Sequence, residues 1–134
     1  MAKFPSEEWM NEFVNILKSS ETYKEAAKDW EGDITFIVTP ESSGERSYAM
    51  WFDLYHGECR DAKFFDDVSK VPKSAFSYSG PLKNWISLIE GKIDPIRGLM
   101  TGKFKLGGPM MKIMRYTKAA KELVNTAAKV KTEF

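Results

Sequence analysis

The sequence predicts an α+β domain in which five short strands form a sheet covered on one face by helices. Three observations carry that expectation. Apolar residues recur at helical spacing through the first 30 positions, β-branched and aromatic alternation takes over at Asp33, and further helical patterns are then set between strand-like runs. A length of 134 residues and 15.3 kDa suits a single core, since chains split into domains beyond roughly 100–200 residues. The expectation is therefore one domain over 1–134, with N-terminal helices at 1–32, a sheet with inserted helices at 33–108 and a C-terminal helix at 109–134.

Each element has its own justification. Pro5 and Ser6 open a helix to about residue 18, with Ser6 as N-cap, Glu7 and Glu8 at the positive end of the dipole, and Trp9, Phe13, Ile16 and Leu17 as its buried stripe. A second helix over 21–30 carries Tyr23, Ala26, Ala27 and Trp30, and Gly32 ends it. Strand one covers 34–39, and residues 40–45 form a polar loop with Gly44. Strand two, 46–55, puts Tyr48, Met50, Phe52 and Leu54 on one face and Ala49, Trp51, Asp53 and Tyr55 on the other, and two apolar faces predict a central position. His56-Gly57 turns the chain into strand three, 58–64. Residues 74–79 read as strand four, with Phe76 and Tyr78 on one face.

Pro81 then starts a helix whose apolar face is Leu82, Trp85, Ile86 and Ile89, stopped by Gly91. Asp94-Pro95 caps and opens a short helix to Met100. Strict alternation in Lys103-Phe104-Lys105-Leu106 gives strand five with Phe104 and Leu106 inward, and Gly107-Gly108-Pro109 leads into a final helix over 109–131.

Composition narrows the classes of function. Hydrophobic residues at 43% and charged residues at 29% are ordinary for a globular chain, which excludes a disordered or collagen-like one. The longest apolar run is five residues, Tyr48 to Phe52, far below the ~20 that span a bilayer, and the N-terminus lacks the layout of a signal peptide. Cys59 is the only cysteine, so no intrachain disulfide forms, and the expected location is the cytoplasm. A net charge of +1 argues against nucleic acid as a partner. That average hides an asymmetry: nine Lys or Arg against two acids from Arg97 onward give +7, leaving −6 for everything before it.

Few residues offer chemistry. His56 and Cys59, with Asp53, Asp61, Asp66 and Asp67 nearby, are spaced so that a Cys-His pair is conceivable, but a turn histidine and a strand cysteine explain the same spacing. One histidine and one cysteine match no metal-ligand spacing, so no metal, no cofactor and no catalytic residue is expected. Gly102-Lys103 and Gly107-Gly108-Pro109 precede a helix, where free N–H groups could meet an anion, yet they lack the spacing of a P-loop or a dinucleotide fingerprint. Methionine is more informative. Met100, Met110, Met111 and Met114 fall within fifteen positions, and Met110, Ile113 and Met114 continue along one arc to Tyr116, Ala120, Leu123, Val124 and Ala127. Facing Phe36, Val38, Met50, Phe52, Phe104 and Leu106, this arc either fills a core or lines a cavity, and periodicity cannot separate the two.

The stretch from Gly91-Lys92-Ile93-Asp94-Pro95 to Gly102-Lys103-Phe104-Lys105-Leu106 resembles the sterol carrier protein type-two (sterol-binding) domain family, with its Gly-Lys, its Asp before Pro and its Gly-Lys-aliphatic-Lys strand. The order of elements in 48–62 and 74–89 is similar too, so the resemblance covers 33–116. It implies a five-stranded, mainly antiparallel sheet with helices on one face, enclosing a tunnel for fatty acids, fatty acyl-CoA, phospholipids or sterols, and a domain that carries lipid without catalysis. Carried over by position, Phe36, Val38, Met50, Phe52, Phe76, Phe104 and Leu106 line the tunnel from the sheet. Ile86, Ile89, Leu99, Met100, Met110, Met111 and Met114 form the helical wall, and Lys103, Lys105, Lys112 and Arg115 a basic rim for an anionic headgroup. Departures are Gly98 and Leu99 where the family often has a small residue and an aromatic, and Pro109 after the glycine turn. The ending Thr132-Glu133-Phe134 is not a peroxisomal Ser-Lys-Leu address, and the helices outside 33–116 resemble free-standing prokaryotic members. The alternative is an accessory module of the same fold, its core filled, presenting its basic C-terminal face to an acidic protein or an anionic membrane.

Overall fold

The computed structural model describes residues 1–134. Helix α1, Glu7–Lys18, is capped by Ser6, whose hydroxyl accepts from the Trp9 amide at 3.0 Å. Ser20 caps α2 in the same way through the Tyr23 amide. This second helix is shorter than its apolar spacing predicts and ends at Ala26 (Glu21–Ala26), because Trp30 leaves helical register to bury its ring against Phe76 and Tyr116 and to donate from its indole to the Gly32 carbonyl.

The sheet contains β2 (Ile34–Thr39), β3 (Tyr48–Tyr55), β4 (Glu58–Phe65), β5 (Phe76–Pro81) and β6 (Lys105–Gly107), in the spatial order β4-β3-β2-β5-β6. Three neighbouring pairs are antiparallel and β2 with β5 is parallel. The central strand is thus β2, not the strand of two apolar faces: β3 lies one place from the edge, and its outward Trp51 is anchored by donating to Asp33 at 2.8 Å. The β3–β4 turn uses positive φ at His56 (+49°) and Gly57 (+80°), as two-residue hairpins require, and a Cβ at position 57 would lie 2.8 Å from the Lys24 carbonyl oxygen. Strand β5 starts at Phe76, two residues later than alternation suggests, because Ser74 turns to bond Thr35 and the Phe76 carbonyl.

Helices α3 (Leu82–Ile89) and α4 (Pro95–Met100) follow, the latter capped by Asp94, which accepts from the amides of Ile96 and Arg97. Phe104, buried before the short β6, stacks on Tyr78 at 4.6 Å and meets Trp85 edge-on at 5.2 Å. Its ring leaves no room for a side chain at Gly80 or Gly98, where a Cβ would approach to 2.7 and 2.9 Å.

The expected single C-terminal helix is two, α5 (Met110–Arg115) and α6 (Thr117–Lys129). Tyr116 breaks it: its backbone leaves the helical region (φ −116°, ψ 35°), its ring packs edge-on to Trp30, and its hydroxyl donates to the Asp29 carbonyl. The termini form a two-residue parallel pair, β1 (Ala2–Lys3) with β7 (Thr132–Glu133), too short to leave any periodicity in the sequence.

Candidate functional site

Two apolar cavities lie between the inner face of the sheet and the helices. The larger, about 60 Å³, is floored by Ile34, Phe36, Tyr78 and Leu106 and bordered by Trp9, Trp85, Leu88, Ile89, Pro95, Ile96 and Leu99. Its remaining wall is Ile113 of α5 and Ala120, Leu123, Val124 and Ala127 of α6. The smaller, about 40 Å³, lies among Tyr23, Trp30, Leu54, Tyr116 and Ala119. Ile34, Ile113, Ala120 and Leu123 border both and form the partition between them. On α6 the lining residues recur three and four apart, and the alanines leave open space where larger side chains would fill it.

Every side-chain donor around the larger cavity is already committed. Trp9 donates to Thr132 at 2.9 Å, Trp85 to the Ile37 carbonyl at 2.9 Å, and the Tyr78 hydroxyl to the Pro95 carbonyl at 2.8 Å. Burial, helped by the charge of Asp94, pushes the Tyr78 hydroxyl to a higher pKa, so it stays a donor. Such a wall can hold hydrocarbon by dispersion and desolvation and offers no polar group a donor. The space is smaller than the roughly 150 Å³ of an apolar cavity that takes one benzene.

Of the fourteen residues that the resemblance placed on a tunnel, the structure brings Phe36, Ile89, Leu99 and Leu106 to the larger cavity. The others stand elsewhere. Val38, Met50, Phe52, Phe76 and Phe104 are buried in packed core, with Phe52 against Phe13 and Phe36, and Phe76 beneath Trp30. Ile86 is half-buried outside the cavity lining. Met100, Met110, Met111 and Met114 are 77%, 42%, 73% and 48% exposed, so the methionine wall expected on the cavity is an aliphatic wall of Ile113, Ala120, Leu123, Val124 and Ala127. The apolar arc of 120–127 was visible in the sequence, but nothing in it marked those residues as bordering space. Trp9, Ile34, Leu88 and Ile96 gave no signal beyond apolarity.

In the basic set, Lys103, Lys105 and Arg115 are exposed. Lys112 is engaged: its ammonium donates to the Glu31 carbonyl and lies 4.9 Å over the Trp30 ring and 5.6 Å from that of Phe76. His56 and Cys59 form no pair. The His56 ring contacts Glu31 at 2.7 Å in the open, whereas Cys59 is buried, donates to the Asp61 carbonyl at 3.4 Å, and has its thiol pushed up to about 11 by burial. The Gly107-Gly108 segment is fitted to the sheet instead of to an anion: a Cβ at 107 would lie 2.3 Å from the Ser77 hydroxyl, and one at 108 would lie 2.6 Å from the Ala75 carbonyl. No group of three or more His, Cys, Asp or Glu is placed to hold a metal, and no helix is long and apolar enough to cross a membrane.

A mixed five-stranded sheet with an apolar cavity under a helical wall defines an α+β domain whose helices close over the sheet's inner face. The chain belongs to the SCP-2 sterol transfer family, whose model matches residues 13–121. A crystal structure of sterol carrier protein 2 is similar over 96% of this chain and 99% of its own, at 31% identity and a TM-score of 0.87. The solution structure of a conserved hypothetical protein, possibly sterol carrier protein, from Thermus thermophilus covers 99% of this chain and 93% of its own, at 30% identity and a TM-score of 0.86. Sterol carrier protein 2 from Yarrowia lipolytica, in its apo form, shares the fold at 18% identity and a TM-score of 0.58, over 91% of this chain and 88% of its own. No curated protein matches the chain by sequence. The first two of these matches extend beyond 33–116 and take in the N-terminal helices and α6.

Proposed function

We propose that the protein, acting as one unit over 1–134, binds and transfers apolar ligands between sheet and C-terminal helices within the cytoplasm, without catalysing a reaction on them. The ligand classes are fatty acid, fatty acyl-CoA, phospholipid and sterol-like molecules. The observation that carries this is the cavity wall whose side-chain donors are all paired internally, so only hydrocarbon gains by entering and any polar head stays outside. Exposed Lys103, Lys105 and Arg115 are free to meet a carboxylate or phosphate there. The two lobes of about 60 and 40 Å³ are too small for an acyl chain even when joined, so uptake requires the helical part of the partition, Ile113, Ala120 and Leu123, to move outward and enlarge the space as it joins them. The same small volume supports the second reading, an accessory module of this fold whose core stays closed.

Ala120 separates the two readings because it borders both lobes. Ala120→Trp should abolish binding of a fluorescent fatty acid by a carrier, measured by titration of the lipid-free protein. Uptake unchanged in this variant, or no uptake by the wild type, rejects the cavity as the site.

A further inference from the structure

We propose that Lys112 is a latch that keeps α5 shut on the segment Asp29–Gly32 while the cavity is empty, and that its release lets α5 swing out and open the space to a ligand. On the carrier function proposed above, on which this rests, the contact opposes loading. The two helices of the lid are fastened differently. Helix α6 packs an apolar face inward, its Glu122 accepts from the Thr22 hydroxyl at 3.0 Å, and the chain beyond it is pinned through β7 and the Trp9–Thr132 hydrogen bond. Helix α5 buries only Ile113, and none of its backbone hydrogen bonds reaches the body. Gly108 (φ +110°) precedes it and Tyr116 (φ −116°, ψ 35°) follows, both outside the helical region, so α5 is a short piece with a pivot at each end.

Two polar contacts fasten this piece, and both reach the same four residues. The Lys112 ammonium donates to the Glu31 carbonyl and lies over the Trp30 ring, while the Tyr116 ring packs edge-on to Trp30 at 5.1 Å and its hydroxyl donates to the Asp29 carbonyl at 3.2 Å. The receiving segment is itself fixed to the hairpin: the His56 amide donates to the Trp30 carbonyl at 2.7 Å, the Gly32 amide to the Leu54 carbonyl at 3.3 Å, and the His56 ring contacts the Glu31 carboxylate at 2.7 Å. Asp29–Gly32 is thus a post on the body. Tyr116 stands at the pivot, so it stays in place as α5 turns, whereas half-buried Lys112 lies on the part that moves and its ammonium passes to water on release. Ile113, next to it in sequence, borders both lobes, so moving α5 opens the partition. Because the closed lobes hold no acyl chain, the Lys112 contact belongs to the empty protein and not to the loaded one. A contact of that kind lowers apparent affinity by reducing the fraction of molecules that are open. Its removal therefore tightens binding, the opposite of what loss of a ligand contact does.

The test joins amide hydrogen exchange of the lipid-free protein to stopped-flow uptake of a pyrene-labelled fatty alcohol, a neutral probe chosen so that loss of a charge does not itself alter attraction. Lys112→Met keeps an unbranched apolar stem beside Trp30 and deletes the ammonium. In this variant the amides of Met114 and Arg115 should exchange about tenfold faster, and association rate and affinity should each rise by about tenfold, with the dissociation rate little changed. Lys112→Arg, which supplies a cation and donors to the same ring and carbonyl, should bring exchange and uptake back toward wild type. Lys118→Met, which removes an exposed cation from α6, should change neither. Exchange unchanged in Lys112→Met, or uptake slowed or weakened by it, overturns the latch. Faster exchange in Lys112→Met with no uptake by any form keeps the latch and rejects the carrier function, whereas uptake by wild type with exchange unchanged in the variant rejects the latch and keeps the carrier.

Discussion

The aromatic core of the body and the lid of the cavity are built from opposite kinds of side chain. In the body, Phe13 lies stacked on Trp9 at 5.4 Å and edge-on to Phe36 and Phe52 at 6.2 and 5.4 Å, and Phe4 meets Trp9 edge-on at 4.8 Å. These flat rings occupy fixed mutual geometries and have few ways to repack. The lid, Ile113 with Ala120, Leu123, Val124 and Ala127, is aliphatic, sits on two helices broken at Tyr116, and leaves space beneath it. Under the proposed carrier function, the difference places the yielding part in the lid, with the body as the surface against which it moves.

The largest expected effect breaks the body. Phe13→Ala removes a fully buried ring at the centre of the aromatic cluster and should lower stability by about 3–5 kcal/mol in urea denaturation. The matching truncation in the lid, Leu123→Ala at a half-buried site, should cost less than ~2 kcal/mol, and equal losses would mean that the lid is packed as firmly as the body. Adding atoms should reverse the sign between the two. Gly98→Ala, which sets a Cβ 2.9 Å from the Phe104 ring and 3.2 Å from the Tyr78 hydroxyl, should destabilise by about 1–3 kcal/mol. Ala120→Leu, growing into both lobes, should stabilise by about 0.5–1.5 kcal/mol, visible as a raised denaturation midpoint.

The smallest effect lies where the hairpin of the body approaches the lid, at Glu31. The hydrogen bond from His56 chiefly, then the charges of His56 and Lys112, hold its carboxyl below the usual glutamate range. A carboxyl whose pKa is lower in the folded chain favours folding above its unfolded pKa, and that contribution disappears as pH falls through the folded value. In His56→Ala the Glu31 carboxyl should titrate nearer to an ordinary glutamate by carbon-detected NMR. An unchanged titration would assign the depression to Lys112 and Tyr55 instead.

Local signals carried much of the fold. Ser6 and Asp94 announced helix starts that their hydroxyl and carboxylate do cap, His56-Gly57 announced the hairpin, and the Gly-Lys and Asp-Pro pattern of 91–106 announced the family. The position of β3 and the end of α2 were misread because Trp51 and Trp30 are held by partners distant in sequence, Asp33 in one case, Phe76 and Tyr116 in the other. The methionines illustrate the site's illegibility. The arc expected through Met110, Met114, Leu123 and Ala127 is too wide for a helix: at 3.6 residues per turn Met114 lies about 180° from Leu123, and Ile113 alone among these α5 residues keeps phase with Ala120 and Ala127, so it stays in while Met110, Met111 and Met114 face outward.

Sequence alone determined the α+β succession of elements, the family, and the division into an acidic body of −6 and a basic C-terminal segment of +7, because spacing, capping and charge are local or additive properties. Only the tertiary structure decided which apolar side chains border empty space, which methionines face solvent, and that Lys112 is held by Glu31 and Trp30 while Arg115 is not. A void is the shared property of side chains from strands and helices far apart in the chain, and the freedom of a cation depends on what the fold brings beside it.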